Sequence, residues 1–554
     1  MRRAIATPVT LIAATALAGC NLTPHYERGA LPVPPSWPVG DAYLAQSEAK
    51  LPAVTYAQVF TDPRLQAIIR QALVNNRDLR IAAANIVAQR AQYRIQRSDL
   101  FPIITADARY SYTGGGGGAR ATAASSTAGG TGSGTTGGST TGTGTGTSTG
   151  GTTGGTGTGT GGTGTTGTST GSGSAVGTSS SGSAFSADIG TTAFEVDLFG
   201  RIRSLTSAAL NRYFETEAAA RATRLTLVAE IANGWLTYAA DQSLLKIAKD
   251  TEASAERTVT LTNAQLQGGI APRTNLREAQ QTLYSAQSSV AAQRTAIAQD
   301  INGLQLLVGA TVDPKLLPAS IEEGIGTIAT LPAGLDSTVL LRRPDVVQAE
   351  YELRATNAQI GAARAALFPR LTLTGLAGFA SSALSSLFTG GAFSYSAAPS
   401  LTYPIFQAGA ARAGVTYSKA QRDVALATYE KTIQTAFEET ANALARLGTI
   451  SDQLGADRNN VIAATDAYQL TNASFRGGVG TFLDALVAQR TLFSVQQALV
   501  ATQLTAAQNR VTLYQVLGGD STLETTATGP KPVTASGAPR IDDPQPSPTA
   551  RPAQ

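Results

Sequence analysis

Changes in hydrophobic period divide the chain into segments of different secondary structure. From about Ile68 to Ser98 the sequence is rich in Ala, Gln and Arg, as is typical of a helix. This helix is predicted to end at Phe101-Pro102, because a residue before proline is pushed out of the α region. After the proline, apolar and polar residues alternate with a period of two, which predicts a strand. The same change recurs at Phe368-Pro369, and returning strands are predicted near 185–199 and 395–406.

The predicted strands have one apolar and one polar face. In the first strand Tyr110 and Tyr112 lie on one face, and Arg109 and Ser111 lie on the other. Strands of about ten residues with aromatic side chains near their ends are typical of a transmembrane barrel. The edge of a soluble sandwich has a similar strand pattern, so this alternative stays open at this point.

Very long helices follow each pair of strands. No proline occurs from about Ser204 to Leu266, and apolar or small residues recur at three-four spacing. A second helix, from Leu276 to Val308, carries a heptad seam with an alanine-rich filling. Some sixty residues at about 1.5 Å each extend roughly 90 Å, which favours antiparallel coiled coils over a globular packing. Gly268-Gly269 and Gly477-Gly478 are predicted to form the turns, since glycine supplies the positive φ that ends a helix.

An internal duplication organises these segments. The run Leu261–Ile270 recurs as Leu470–Val479, and the same register aligns Gly309 with Gly518. Upstream, a second register aligns Leu100-Phe101-Pro102 with Leu367-Phe368-Pro369, and Asp78 with Asp345. The fold class is therefore predicted as mainly α with a membrane β-barrel portion. Each chain has a duplicated unit that gives four strands and long antiparallel coiled-coil helices.

The prolines and the composition also set the predicted boundaries. Pro102, Pro369 and Pro404 are expected at junctions between helices and strands. The expected segments are a signal peptide (1–19), a lipidated leader (20–60), a first repeat (61–310) containing a disordered Gly/Thr/Ser external loop (114–183), an equatorial linker (311–340), a second repeat (341–520) and a disordered tail (521–554).

The amino terminus has the layout of a secretory signal. Arg2 and Arg3 precede a short apolar region, and Leu17-Ala18-Gly19-Cys20 resembles a lipobox in which Cys20 receives lipid. An ordinary thiol is the alternative. Asn21, rather than aspartate, follows the cysteine, and in the bacterial lipoprotein pattern that this resembles such a residue favours delivery to the outer membrane.

Composition excludes several classes of function. Cys20 is the only cysteine, so the chain has no internal disulfide, and charged residues make up 14% of the sequence with a net charge of +4. This near-neutral balance gives no reason to expect nucleic acid as a partner. The single histidine, His25, leaves no histidine-based triad or histidine-rich metal site. The chain is predicted not to be an enzyme and to need no cofactor beyond a covalent lipid on Cys20.

Four strands are too few to close a barrel, since small single-chain barrels have about eight. An open edge within lipid would leave backbone groups unpaired at several kcal/mol each. Closure is therefore expected to need more than one copy of the chain.

Several motifs resemble the outer membrane factor family, the TolC-like proteins, in its lipidated efflux branch. They are Phe194–Arg201, Leu341–Asp345, Tyr403-Pro404-Ile405-Phe406, Ala488-Gln489-Arg490 and Tyr514–Gly519. The resemblance implies a homotrimeric α/β barrel tube, with a twelve-stranded barrel in the outer membrane and a lipid-anchored, periplasmic helical portion. It also implies a periplasmic adaptor (membrane fusion protein) and an inner-membrane RND-type pump as partners.

The function implied is the exit duct of a tripartite efflux system for drugs or small toxic solutes. A duct for type I protein secretion shares the fold and is the alternative. A structural lipoprotein without a pore is a further alternative.

The resemblance also assigns candidate site residues. Matching the family's periplasmic aperture places Leu483, Asp484, Val487 and Arg490 at the constriction, although many relatives have a carboxylate where this chain has Val487. Two interpretations of Asp484 stay open: a ring of three carboxylates at the mouth, or a carboxylate stabilised by the helix dipole in a first turn. Arg490 can instead pair between helices. The turn glycines Gly268, Gly269, Gly477 and Gly478 are the expected adaptor contacts.

Overall fold

The computed structural model describes residues 22–27, 29–34, 36–38, 40, 42–43, 55–113, 182–329, 337–521, 523–526 and 529–532, most of them helical. The elements in chain order are α1 (Tyr56–Val59), α2 (Pro63–Asn75), α3 (Arg77–Ser98), β1 (Thr105–Thr113), β2 (Gly182–Val196), α4 (Arg201–Gln267), α5 (Arg273–Val308), α6 (Ile321–Ile325), α7 (Pro344–Ala365), β3 (Arg370–Ser381), β4 (Phe393–Thr402), α8 (Ala410–Arg476), α9 (Phe482–Val516), β5 (Leu523–Thr526) and β6 (Gly529–Pro532). Cys20, the signal peptide and nearly all of the Gly/Thr/Ser insert lie outside the described residues.

The chain divides into two compact units. The larger comprises Met1–Ile103, Thr191–Thr374 and Ala398–Gln554, and contains the helices α1 to α9. The smaller comprises Ile104–Gly190 and Gly375–Ala397, and contains most of the four long strands.

Two helical hairpins dominate the larger unit, α4 with α5 and α8 with α9. Helices α4 and α8 are each 67 residues long, or roughly 100 Å at the usual helical rise. Glycines in the left-handed conformation begin both helices, at Gly200 and Gly409. These two glycines correspond in the repeat register, so the duplication seen in the sequence is also present in the backbone.

Each hairpin turns on a pair of glycines. The first glycine of each pair has a negative φ, whereas Gly269 and Gly478 both have a φ of +74°. The same left-handed conformation recurs at Gly309 and Gly518, where α5 and α9 end. An L-amino acid with a side chain strains at such a φ, which explains why glycine occupies these positions in both copies.

Trp235 of α4 lies at the centre of the main hydrophobic core of the larger unit. Its ring is fully buried, and its Nε1 donates a 3.0 Å hydrogen bond to the carbonyl of Leu316. Phe60 packs edge-on against Tyr514, with ring centroids 5.3 Å apart. The segment before α2, at Phe60, thus packs against α9, and the segment after α5, at Leu316, packs against α4.

The start of α7 is tied to α8 by a buried cation. Arg343 is 8% exposed, and its Nη2 lies 2.7 Å from carboxylate oxygens of both Asp345 and Glu439. The Leu-Arg-Arg-Pro-Asp run seen in the sequence therefore joins two helices through an ion pair.

The helix predicted over Ile68–Ser98 is two helices. Asn76 separates α2 from α3, and its side chain accepts a 2.9 Å hydrogen bond from the Leu79 amide while donating a 2.7 Å bond to the Leu307 carbonyl. The first bond caps α3 and the second fixes the break against α5. Because the second partner is distant in sequence, the local pattern did not reveal the break.

The four long strands form an antiparallel sheet in the order β1-β2-β3-β4. Strand β1 pairs with β2 from Thr105 opposite Gly190 to Thr113 opposite Gly182. Tyr110 faces Phe185 in this register, with ring centroids 4.8 Å apart. The aromatic pair lies on one face of the sheet, as the alternation predicted.

Part of the predicted disordered tail is wrong, because residues 523–526 and 529–532 form strands. Strands β5 and β6 form a hairpin there, with Leu523 opposite Pro532. Ser521 is buried and donates a short hydrogen bond to the carbonyl of Arg342. Tertiary contacts order this stretch, although its Pro-, Ala- and Thr-rich composition is typical of a loose tail.

Asp241 of α4 and Asp300 of α5 form a carboxyl pair inside the first hairpin. Burial, together with the Asp241 carboxylate, raises the pKa of Asp300 to about 7. Burial also raises the pKa of Asp241. In a similar pair on α4 and α7, burial together with the Glu352 carboxylate raises the pKa of Glu215 to about 7. The folded protein therefore holds protons that the unfolded chain releases near pH 4.

We predict that Asp300→Asn weakens the pH dependence of stability. A raised carboxyl pKa means that the free energy of unfolding falls as the pH rises from about 4 to about 7. The asparagine keeps a donor toward Asp241 without a titrating proton, so the variant should melt about 2–4 °C above the wild type at pH 8. The measurement is a set of thermal unfolding scans from pH 5 to pH 8.

Asp250→Asn is the matched control for this experiment, because Asp250 is an exposed aspartate in the same hairpin, on the helix α4 that carries Asp241. It should leave the slope unchanged. An Asp300→Asn protein whose melting temperature falls with pH as steeply as that of the wild type would contradict the assignment.

We also predict that Gly478→Ala and Gly477→Ala differ in effect. The alanine at 478 must adopt a φ near +74°, which costs about 1–2 kcal/mol. At 477, φ is −75° and a Cβ would lie 3.4 Å from the Ala473 carbonyl oxygen, so little cost is expected. Hydrogen exchange at the α8–α9 turn should accelerate roughly fivefold or more in the first variant only. Equal exchange rates in the two variants would refute the role of the backbone conformation.

Candidate functional site

The start of helix α9 carries the residues assigned to the aperture. Thr481 caps the helix, and its Oγ1 accepts a 3.1 Å hydrogen bond from the Asp484 amide. The same hydroxyl lies 2.6 Å from Asp484 Oδ2 and donates to it. Asp484 therefore lies in the first helical turn, where the unpaired amides and the helix dipole stabilise a carboxylate. This is the position that the second interpretation of Asp484, a carboxylate in a first helical turn, requires.

One face of this helical turn is buried. Phe482, Ala485, Leu486 and Gln489 are all less than one-tenth exposed. The ring of Phe482 packs edge-on against that of Phe475 at the end of α8, with centroids 5.6 Å apart. This contact holds the two helices of the hairpin together beside the turn.

The opposite face presents the four predicted residues together. Leu483 is 59% exposed and Val487 is 53% exposed, and the side chains of Asp484 and Arg490 are also exposed. Positions 483, 484, 487 and 490 share one side of a helix because of its 3.6-residue period. The chain thus displays two apolar side chains, one carboxylate and one guanidinium on a single surface.

A cleft of about 330 Å³ lies beside this surface, between α4, α5 and α9. Its lining residues include Thr251, Gln281, Ser285 and Arg490. Gln489 also lines it, and the Nε2 of this buried amide makes no hydrogen bond within the described structure. The sequence marked Gln489 only as part of a family motif. Its burial was not apparent because it depends on contacts among three helices.

The turn glycines lie at the tips of the two hairpins, as predicted. Gly268 and Gly477 cap the ends of α4 and α8. Each tip also presents an exposed branched side chain immediately after its second glycine: Ile270 is 79% exposed and Val479 is 87% exposed. The sequence contained this signal in the repeated Gly-Gly-Ile and Gly-Gly-Val triplets, although only the glycines were singled out.

The three candidate prolines lie between helices and strands. Pro102 separates α3 from β1, Pro369 separates α7 from β3, and Pro404 separates β4 from α8. Phe368, beside the junction at Pro369, stacks on Phe199 in the connection from β2 to α4, with centroids 4.7 Å apart. The candidate lipidation site, Cys20, lies outside the described residues.

Within the described part of the chain, no helix combines the length and the apolar character that crossing a bilayer requires.

Comparison with known proteins agrees with the architecture. The model of the outer membrane efflux protein family matches residues 68–141, 158–310 and 335–519. The chain is 39% identical over 510 residues to the probable efflux pump outer membrane protein TtgC of Pseudomonas putida, covering 92% of this chain and 94% of that protein. It is 33% identical over 509 residues to the outer membrane protein OprJ of Pseudomonas aeruginosa, covering 92% and 95%.

A solved structure resembles the fold as well. The open state of the Neisseria gonorrhoeae MtrE outer membrane channel superposes with a TM-score of 0.72 at 29% identity, covering 90% of this chain and 98% of that one. Family match, relatives and solved structure all concern outer-membrane channel or efflux proteins, and none is an enzyme. The chain therefore belongs to the outer membrane efflux protein family and is a non-enzymatic protein of the outer membrane.

Proposed function

We propose that three copies of this chain form the exit duct of a tripartite efflux system. The duct passes drugs or other small toxic solutes from an inner-membrane pump of the RND type, through a periplasmic adaptor, to the outside. The relatives named as efflux pump outer membrane proteins support this assignment.

The single observation that carries the proposal is the state of the two edge strands. Among the described residues the sheet has four strands, and β1 and β4 each pair on one side only. All ten side chains of β4 are exposed, and Tyr395 is 81% exposed. Each unpaired backbone group within a bilayer costs several kcal/mol, so β1 of one copy is expected to pair with β4 of the next. Three copies supply twelve strands, enough to close a barrel around a lumen.

The exposed surface of α9 suits a closed aperture. Threefold symmetry brings three copies of Asp484 and Leu483 to one axis, where the carboxylates repel one another and bind cations. The Thr481 hydroxyl and the helix dipole hold each carboxylate in place. Contacts with partner proteins then determine whether the ring stays closed.

The hairpin tips suit contact with the adaptor. Ile270 and Val479 protrude at equivalent positions next to glycines that leave the backbone accessible. A coiled-coil partner with small apolar residues at its own tip can bury these side chains. Lipid on Cys20 adds an anchor in the outer membrane, and the polar helical hairpins extend into the periplasm.

Deleting the gene should increase susceptibility to several unrelated toxic compounds, because efflux loses its exit. The measurement is the inhibitory concentration of a panel of drugs and solvents, with a plasmid copy as the control. Unchanged susceptibility combined with loss of a secreted protein would support the alternative of a type I secretion duct. A purified protein without conductance in planar bilayers would exclude both ducts.

Asp484→Asn should lower the cation selectivity of the purified channel in planar bilayers, since it removes three charges from the narrowest point. The amide keeps the size of the side chain and can still accept from Thr481, so the helix start is preserved. The control is Asp452→Asn, an exposed carboxylate on α8 away from this turn. Equal reversal potentials for the wild type and Asp484→Asn would place the selectivity elsewhere.

A further inference from the structure

The amino-terminal leader runs against a groove formed by Ser204 of α4 and by Asn357, Gly361 and Arg364 of α7, which we name the leader groove. Asn357 Nδ2 donates a 2.9 Å hydrogen bond to the Pro24 carbonyl. Arg364 Nη1 donates a 3.2 Å bond to the carbonyl of Leu22. These bonds recognise the backbone of the leader.

Thr23, between these two residues, is held by a side-chain contact. Its Oγ1 lies 3.0 Å from the Ser204 hydroxyl. The leader groove therefore contacts three consecutive leader residues, two through carbonyls and one through a hydroxyl.

Gly361 leaves the space that Thr23 occupies. A Cβ at this position would lie 2.2 Å from Thr23 Oγ1, 2.7 Å from Ser204 Oγ and 2.9 Å from Thr23 Cα. Glycine inside a helix costs about 1 kcal/mol relative to alanine. The buried glycine in α7 thus leaves room both for the leader and for the Ser204 hydroxyl that contacts it.

The first copy of the duplicated unit provides an internal comparison. The register that aligns Asp78 with Asp345 and Pro102 with Pro369 puts arginines of α3 at the positions of the groove residues of α7. They are Arg90 for Asn357, Arg94 for Gly361 and Arg97 for Arg364, and all three are exposed. The amide and the glycine are therefore special to the copy that binds the leader and are not needed by the helix itself.

The residues of the leader groove lie close to two connections between helices and strands. Helix α4 begins shortly after β2 ends, and α7 ends shortly before β3 begins. The groove binds Leu22 beside these helix–strand connections, and Cys20 precedes Leu22 by two residues in the sequence.

We propose that the leader groove is a binding site for the mature amino terminus that fixes the lipid on Cys20 beside the connections to β2 and β3. This anchoring role depends on the proposed lipidation, whereas peptide binding by the groove does not. With a fixed attachment point, the lipid inserts into the membrane beside the connections to β2 and β3. The chain needs one such site because it has one amino terminus, although it has two copies of the helix.

Gly361→Ala tests the site in the full-length protein purified from membranes. Hydrogen exchange followed by mass spectrometry should show at least a tenfold acceleration at the amides of Leu22 and Thr23, since Pro24 has no amide hydrogen, with the exchange of α7 itself unchanged. The matched control is Gly455→Ala in α8, another glycine within a helix, where a Cβ would meet nothing within 4 Å. This control should leave the exchange of the leader unchanged.

The mass of the amino-terminal peptide separates the parts of the proposal. Lipid present in both the wild type and Gly361→Ala, with faster leader exchange only in the variant, supports the anchoring role. An unmodified Cys20 in the wild type would overturn that role. Leader exchange equal in the wild type and Gly361→Ala, or already as fast as in a free peptide, would overturn binding by the groove. None of these results requires transport, so they do not depend on the efflux assignment.

Discussion

Backbone N–H and C=O groups at the edges of the four-stranded sheet need hydrogen-bond partners, and this requirement governs the rest of the structure. In water an edge strand can be solvated, but the hydrocarbon of an outer membrane offers no donor or acceptor. Family membership puts the chain in that membrane. The exposed β1 and β4 strands therefore need cover, and in the proposed trimer other copies of the chain supply it.

Helices α3 and α9 also expose apolar side chains. The side chains of α3 include exposed isoleucines such as Ile81 and Ile95, and none of its residues is buried. Leu483 and Val487 are exposed on α9. In the proposed trimer, neighbouring copies cover part of this apolar surface.

Features encoded in one or two residues could be predicted from the sequence. A proline ends a helix that approaches it from the amino-terminal side, so the junctions at Pro102 and Pro369 were predicted without structural information. Glycine is the residue that tolerates a positive φ, so the turn at Gly478 was also found, although the sequence did not show which glycine of the pair carries that φ. Period changes located the four strands to within a few residues.

Features that depend on distant partners could not be predicted. The break at Asn76 depends on the Leu307 carbonyl, and the placement of Ser521 depends on the carbonyl of Arg342 at the start of the second repeat. Burial of Gln489 depends on three helices that meet only in the fold. For the aperture, the resemblance supplied the positions and the helical period placed them on one face. The hydrogen bond from the Asp484 amide to Thr481 was not predicted and is seen only in the structure.

Features present in both copies of the repeat belong to the shared architecture, whereas features present in one copy belong to a role that occurs once per chain. Glycines with a positive φ occur in both copies, because both hairpins turn and end in the same way. The carboxyl pair of the first hairpin has no counterpart in the second, where the aligned residues are Ile450 and Asn509. Asn509 Nδ2 donates a 3.0 Å hydrogen bond to the Ala443 carbonyl of the neighbouring helix α8.

Gly361 differs from its counterpart Arg94 in the same informative way. Glycine has a lower helix propensity than the arginine that stands at this position in the first copy. At 361, however, Thr23 of the leader and Ser204 of α4 occupy the space that a side chain would need. Differences between the copies therefore locate the contacts that exist once per chain, and one of these is with the amino terminus.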